Sequence, residues 1–213
     1  MDDGEKEAAR NEANYLRRLN HSNVIKCIDM FEDDKNIIIV LPLMQTTLFE
    51  YLKKQSKPLS EDQAKTVFSM IANGVHHCHA KGLIHSDLKP ENILLNLDSK
   101  SNIIDLCITD FGLSLEADKL DESVDARGSL PYMAPECLDD DKTFDGSVDS
   151  WSLGIILHEL LTKTKPYRAK TVDDMIEKLK EDIDFSTDAW ESVSIEGLDL
   201  VENLLAKDPE FRI

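Results

Sequence analysis

The stretch Val148 to Leu161, VDSWSLGIILHELL, constrains the fold more than any other. Its apolar residues fall all around a helix of about 3.6 residues per turn, not along one stripe. Such a helix has no face to offer water, so it must be buried by neighbouring elements. Those neighbours can be read in order. Residues 5–19 carry Ala8, Ala9, Glu12, Tyr15, Leu16 and Leu19 at threes and fours among charges, which predicts a helix. Asn20 to Asn23 break it. Val24 to Phe31 and Ile37 to Leu41 predict two strands joined through Glu32 to Asn36, a hairpin that Pro42 ends. Thr47 to Gln55 is a short helix. Ser60, with Gln63 three residues later, caps a long one. Ala64, Val67, Phe68, Ile71 and Val75 form its apolar stripe, and Gly82 stops it. Short β pieces fall at Ile93 to Leu95 and Ile103 to Thr109, and further helices near 171–181 and 195–206. The chain is therefore expected to be α+β, with a small β portion first, a larger helical portion second, and a crossing at Leu41 to Gln45.

A length of 213 residues predicts one domain, and 41% apolar residues suffice for a core. The balance of 24 basic and 42 acidic residues gives a net charge of −18. That argues against a general nucleic-acid or anionic-membrane binder and fits a basic partner better. The longest apolar run, Ile37 to Leu41, is far below the roughly 20 residues of a membrane span. The start, Met1 to Glu5, lacks the features of a signal peptide. Cys27, Cys78, Cys107 and Cys137 form no C-x-x-C pair, so an intracellular, cytoplasmic protein is expected. His76, His77, Cys78, His79 and His85 are close in sequence, but adjacent helical residues point to different faces and cannot all converge on one zinc ion.

The middle of the chain reads His85-Ser86-Asp87-Leu88-Lys89-Pro90-Glu91-Asn92. Asp110-Phe111-Gly112 follows, and then Gly128-Ser129-Leu130-Pro131-Tyr132-Met133-Ala134-Pro135-Glu136. In order and spacing this series resembles the catalytic loop, the metal-binding D-F-G and the A-P-E of the eukaryotic protein kinase domain. Lys89 after Asp-Leu, and Gly128-Ser129 before Tyr132, resemble serine/threonine kinases. Asp184-Phe185, Trp190 to Ser194, and Asp199-Leu200 are similar to the calcium/calmodulin-dependent group.

The resemblance implies a bilobal kinase-like fold and an ATP- and Mg²⁺-dependent transfer of phosphate to protein Ser/Thr hydroxyls. Asp87 would accept or orient the hydroxyl proton, Lys89 would neutralise the γ-phosphate, and Asn92 and Asp110 would hold Mg²⁺ through hard oxygen ligands. Glu12 would be the ion-pair acid of the C-helix. Leu41 would be the gatekeeper, Pro42 to Met44 the adenine-binding hinge, and Leu48 and Leu94 the floor under adenine. Leu16, Cys27, His85 and Phe111 would stack between the lobes, anchored by Asp149, and Arg212 would pair with Glu136. The implied layout is one kinase domain over 1–213: a partial N-lobe at 1–41 (C-helix and last two strands), a hinge at 42–46, and a C-lobe at 47–213 lacking its last helix. A protein substrate is the implied partner. Calmodulin or another regulator fits the subgroup, although no calmodulin-binding basic helix is visible in this chain.

The sequence departs from the family pattern in places. Only eleven residues precede Glu12, with neither a glycine cluster nor a strand lysine among them. As written, the chain is expected to bind Mg·ATP weakly, and a scaffolding module without catalysis is the rival reading. Ser86 stands in place of an Arg that would clamp a phosphorylated activation segment. Thr47 stands where relatives selective for basic substrates carry an acid. Asp125 occupies the position of an activating phospho-Thr, and Ser129 is expected to support the catalytic loop.

Overall fold

The apolar helix lies at the centre, as its composition requires. The structure, a computed structural model, describes residues 3–33, 36–119, 128–138 and 145–213. In chain order its elements are α1 (Asp3–Arg18), β1 (Asp29–Glu32), β2 (Ile37–Val40), β3 (Thr46–Thr47), α2 (Leu48–Lys54), α3 (Glu61–Ala80), β4 (Leu83–Ile84), β5 (Ile93–Leu97), β6 (Ile103–Ile108), β7 (Leu115–Glu116), α4 (Ser147–Thr162), α5 (Val172–Lys178) and α6 (Ile195–Leu204). On α4, Val148 to His158 are buried apart from Ser150. It packs between α3 on one side and α6 on the other. The approach of α6 is close because Gly154 has no side chain: a Cβ there would lie 2.7 Å from Leu205 Cδ2.

The long helix forms as its ends predict. Ser60 and Gln63 close a reciprocal capping box at the start of α3. Gly82, with φ +70°, turns the chain after it. Ala64, Val67, Ile71 and Val75 are buried, and Phe68 is half-buried at the edge of the same stripe.

The β structure differs from expectation in two ways. The strand expected over Val24 to Phe31 is split. Val24 bridges β6 at Ile108, and Ile25 N–H donates to Ile108 O at 2.9 Å. Pairing with β2 begins only where Ile28 N–H reaches Val40 O at 2.8 Å. The segment thus serves two sheets, and an apolar pattern alone does not record that division. In the second portion β5 and β6 fall where short β pieces were expected, but β3, β4 and β7 were not expected. β3, β5 and β6 form an antiparallel sheet, and β4 pairs with β7. β3, β4 and β7 have two residues each, too few to show any periodicity.

These small sheets position the functional loops. The connection from β4 to β5 contains residues 85–92, and that from β6 to β7 contains 109–114. β5 and β6 are paired from Ile93↔Ile108, so both loops leave the sheet at the same end. Thr109 N–H donates to Asn92 O at 3.0 Å and ties the loops together at their bases.

Candidate active site

Asp87 is buried, and each of its carboxylate oxygens is held. Ser129 N–H donates to Oδ1 at 2.8 Å. Lys89 Nζ donates to Oδ2 at 2.6 Å and Asn92 Nδ2 to the same oxygen at 3.2 Å. Lys89 Nζ also donates to Ser129 Oγ at 2.8 Å, and Asn92 Nδ2 to Asp87 O at 2.9 Å. Three residues of one loop therefore meet a fourth from a distant segment. Gly128 permits that meeting: its φ is +111°, and a Cβ there would stand 2.8 Å from Ser86 O. Gly128 carried part of the family resemblance, but its close approach to Ser86 could not be read from the sequence.

The loop beneath is suspended from α4. Asp149, fully buried, accepts from His85 N–H at 2.8 Å and Ser86 N–H at 2.9 Å, while His79 Nε2 lies 2.7 Å from Oδ2. His79, considered above only for zinc, is thus a partner of this carboxylate. Ser86 has φ +65° and Asp110 φ +66°, a conformation that costs a non-glycine residue about 1–3 kcal/mol and concentrates at functional sites. His85 Nδ1 accepts from Asp87 N–H at 3.3 Å, so the ring proton sits on Nε2, 3.0 Å from Thr109 O. The His85 and Phe111 rings are 4.8 Å apart. Leu16 is buried in the same core, while Cys27 is half-buried at its edge.

Glu12, from α1, faces the D-F-G segment. Burial and then the Asp110 charge raise its carboxyl above the usual range, and a hydrogen bond from Phe111 N–H opposes them. Asn92 commits its amide nitrogen to Asp87, which leaves its Oδ1 as the acceptor. Asn92 and the exposed Asp110 thus supply neutral and anionic oxygen donors at the ends of joined loops, a donor set suited to a hard divalent cation. Among the described residues no group of three or more His, Cys, Asp or Glu could hold a metal ion.

The segment between β2 and β3 lies against β5. Gln45 N–H donates to Leu95 O at 3.0 Å, and Asn96 Nδ2 to Met44 Sδ at 3.3 Å. Leu94 and Asn96, two residues apart, share a face of β5. Leu41, Pro42, Met44 and Leu94 are all half-buried, whereas Leu48 is fully enclosed in the core. Thr47 caps α2, its hydroxyl accepting from Glu50 N–H at 3.2 Å. Glu136 and Arg212 form the expected pair, buried and two-pronged, with Arg212 Nη2 2.9 Å from Oε2. Ser86 Oγ is buried without a partner among the described residues. Asp125 and Ser123 lie outside the described residues, as does the acidic run Asp139 to Asp141.

A sequence model of the protein kinase domain matches residues 1–213. The chain is 38% identical over 211 residues to a CDPK-related protein kinase of Daucus carota, covering 97% of this chain and 34% of that protein. It is 38% identical over 206 residues to CDPK-related kinase 1 of Arabidopsis thaliana, covering 95% and 35%. It is 36% identical over 213 residues to the probable serine/threonine-protein kinase fhkE of Dictyostelium discoideum, covering 97% and 30%. The chain therefore spans about a third of the length of these relatives. No helix among the described residues is long and apolar enough to cross a membrane.

Proposed function

The chain belongs to the protein kinase family, and on that premise we propose that it transfers the γ-phosphoryl group of ATP, taken as its Mg²⁺ complex, to Ser or Thr hydroxyls of protein substrates. The observation that carries this reading is the convergence of Lys89, Asn92 and Ser129 on the Asp87 carboxylate. A carboxylate fixed by three donors is preorganised to orient a hydroxyl and take its proton, with little reorganisation as the reaction proceeds. Lys89, shared between Asp87 and Ser129, brings a positive charge to the place where phosphate oxygens would gather. Asn92 and Asp110 would hold Mg²⁺ through their side-chain oxygens, and the ion would supply charge neutralisation at the phosphate oxygens. Leu41, Pro42, Met44 and Leu94 receive the adenine, and Glu12 orients the D-F-G segment through Phe111.

In this reading residues 1–213 are one kinase domain. The smaller part is 1–41, the hinge 42–46 and the larger part 47–213. Calcium-linked regulation fits the CDPK-related names of two relatives. The test is phosphate transfer from radiolabelled ATP to a Ser-containing peptide by wild-type protein and by Asp87→Asn. The variant should lose about 10²–10⁴ in turnover, the range for a positioned general base, with ATP binding retained. Turnover within tenfold of wild type would refute the role given to Asp87.

A further inference from the structure

The segment that holds Asp87 also borders a second cavity. Ser129 contacts the catalytic loop directly. Pro131 lies two residues on, within about 7 Å along the chain. It forms one wall of a cavity of about 280 Å³, with Glu159, Lys163, Lys165, Tyr167 and Arg168 among the others. Three cations face one carboxylate there, on a chain with 42 acidic and 24 basic residues. The local charge is thus opposite in sign to the whole.

The single carboxylate is already committed. Tyr132 OH donates to Glu159 Oε2 at 2.8 Å, and Lys165 Nζ lies 3.8 Å from Oε1. Lys165 also sits 4.8 Å over the Tyr132 ring, which holds its ammonium at the cavity. Lys163 donates to Gln55 O. Arg168 is exposed and has no ion-pair partner among the described residues. The cavity also borders Tyr167, which is 5% exposed and whose hydroxyl has no hydrogen-bond partner among the described residues. Arg168, without an ion-pair partner among the described residues, and the remaining N–H groups of Lys165, set beside a carboxylate already bonded to Tyr132, suit the cavity to an anion and not to a cation.

Resting on the phosphoryl-transfer reading, we infer that this cavity is a substrate subsite for an acidic side chain, a carboxylate or a phosphorylated residue, close to the acceptor Ser or Thr. A residue two or three positions from a hydroxyl at Asp87 can reach about 7–11 Å, the span from Asp87 past Ser129 to the Pro131 wall. Lys165 and Arg168 select it. Glu91, which adds to the negative field at Tyr132, does not line the cavity.

The test uses nine-residue peptides with a central Ser in an alanine background. Each of the three positions on either side is scanned with Ala, Arg, Asp or phosphoserine. At one position, acidic peptides should exceed the alanine peptide in kcat/KM by about tenfold, as one charge-assisted contact allows. The Asp and phosphoserine arms separate carboxylate from phosphate. Lys165→Ala and Arg168→Ala should each reduce the acidic-to-alanine ratio about fivefold, and Lys165→Arg should preserve it. Fluorescence anisotropy with the same labelled peptides, without ATP, should give the same order. Selective binding without transfer would uphold the subsite and refute the transfer reading. Equal binding of all peptides, a preference for Arg, or an unchanged ratio in Lys165→Ala would overturn the subsite.

Discussion

Replacing Asp149 by Asn tests how the catalytic loop is held. In the native protein His85 N–H and His79 Nε2 share Oδ2, and Ser86 N–H takes Oδ1. Asparagine keeps one oxygen. If that oxygen stays with His85, the new NH₂ group faces Ser86 N–H, donor against donor. A buried donor left unsatisfied costs about 1–3 kcal/mol. The remaining bonds lose the charge assistance that roughly doubles their strength, adding about 1 kcal/mol. The reverse orientation exposes two groups in place of one and costs more. The expected loss is therefore about 2–4 kcal/mol. For a domain of this size that corresponds to about 5–15 °C in Tm. Ser86 should register the change first, because its left-handed backbone is held there by this bond. Urea denaturation measures the total, and amide hydrogen exchange at Ser86 and His85 reads the site. A loss below 1 kcal/mol with unchanged protection of both amides would show that the loop is held by something else.

Two further outcomes follow from the chemistry of single groups. The Glu12 carboxyl has a folded pKa raised by burial and by Asp110, so its contribution to stability is fully present below its unfolded pKa and is lost as pH rises through the folded value. Glu12→Gln should therefore gain on the wild type in urea denaturation as pH is raised from 4 to 7, and a gap independent of pH would refute this. Burial pushes the Cys78 and Cys137 thiols up to about 12 and Cys107 to about 11. At about pH 8 these three should resist iodoacetamide in the native protein and react after denaturation, since about one part in a thousand or less is thiolate; native labelling of Cys107 at the denatured rate would contradict that.

Local signals in the sequence were reliable wherever the physics is local. The Ser60–Gln63 box depends on residues three apart, and it formed. The burial of α4 follows from its own composition. The joining of Asp87, Lys89 and Asn92 was legible as a spaced motif, and so was the support from Ser129. What escaped notice depends on distant partners. Asn23 O and Ile25 N–H bond to Ile108 of β6, more than eighty positions away, so the strand expected from Val24 onward is interrupted. His79 meets Asp149 across 70 positions. Lys165 lies near Glu159 and over the ring of Tyr132, more than thirty positions away. The need for Gly128 arises from a carbonyl in another loop.

The catalytic loop hangs from the central helix by peptide groups, the N–H of His85 and of Ser86. Such a grip does not depend on the side chain that position 86 carries, provided the backbone can reach its turn. The side chain at position 86 can therefore change without disturbing the placement of Asp87 one residue later, because the hold on the loop runs through the peptide group alone.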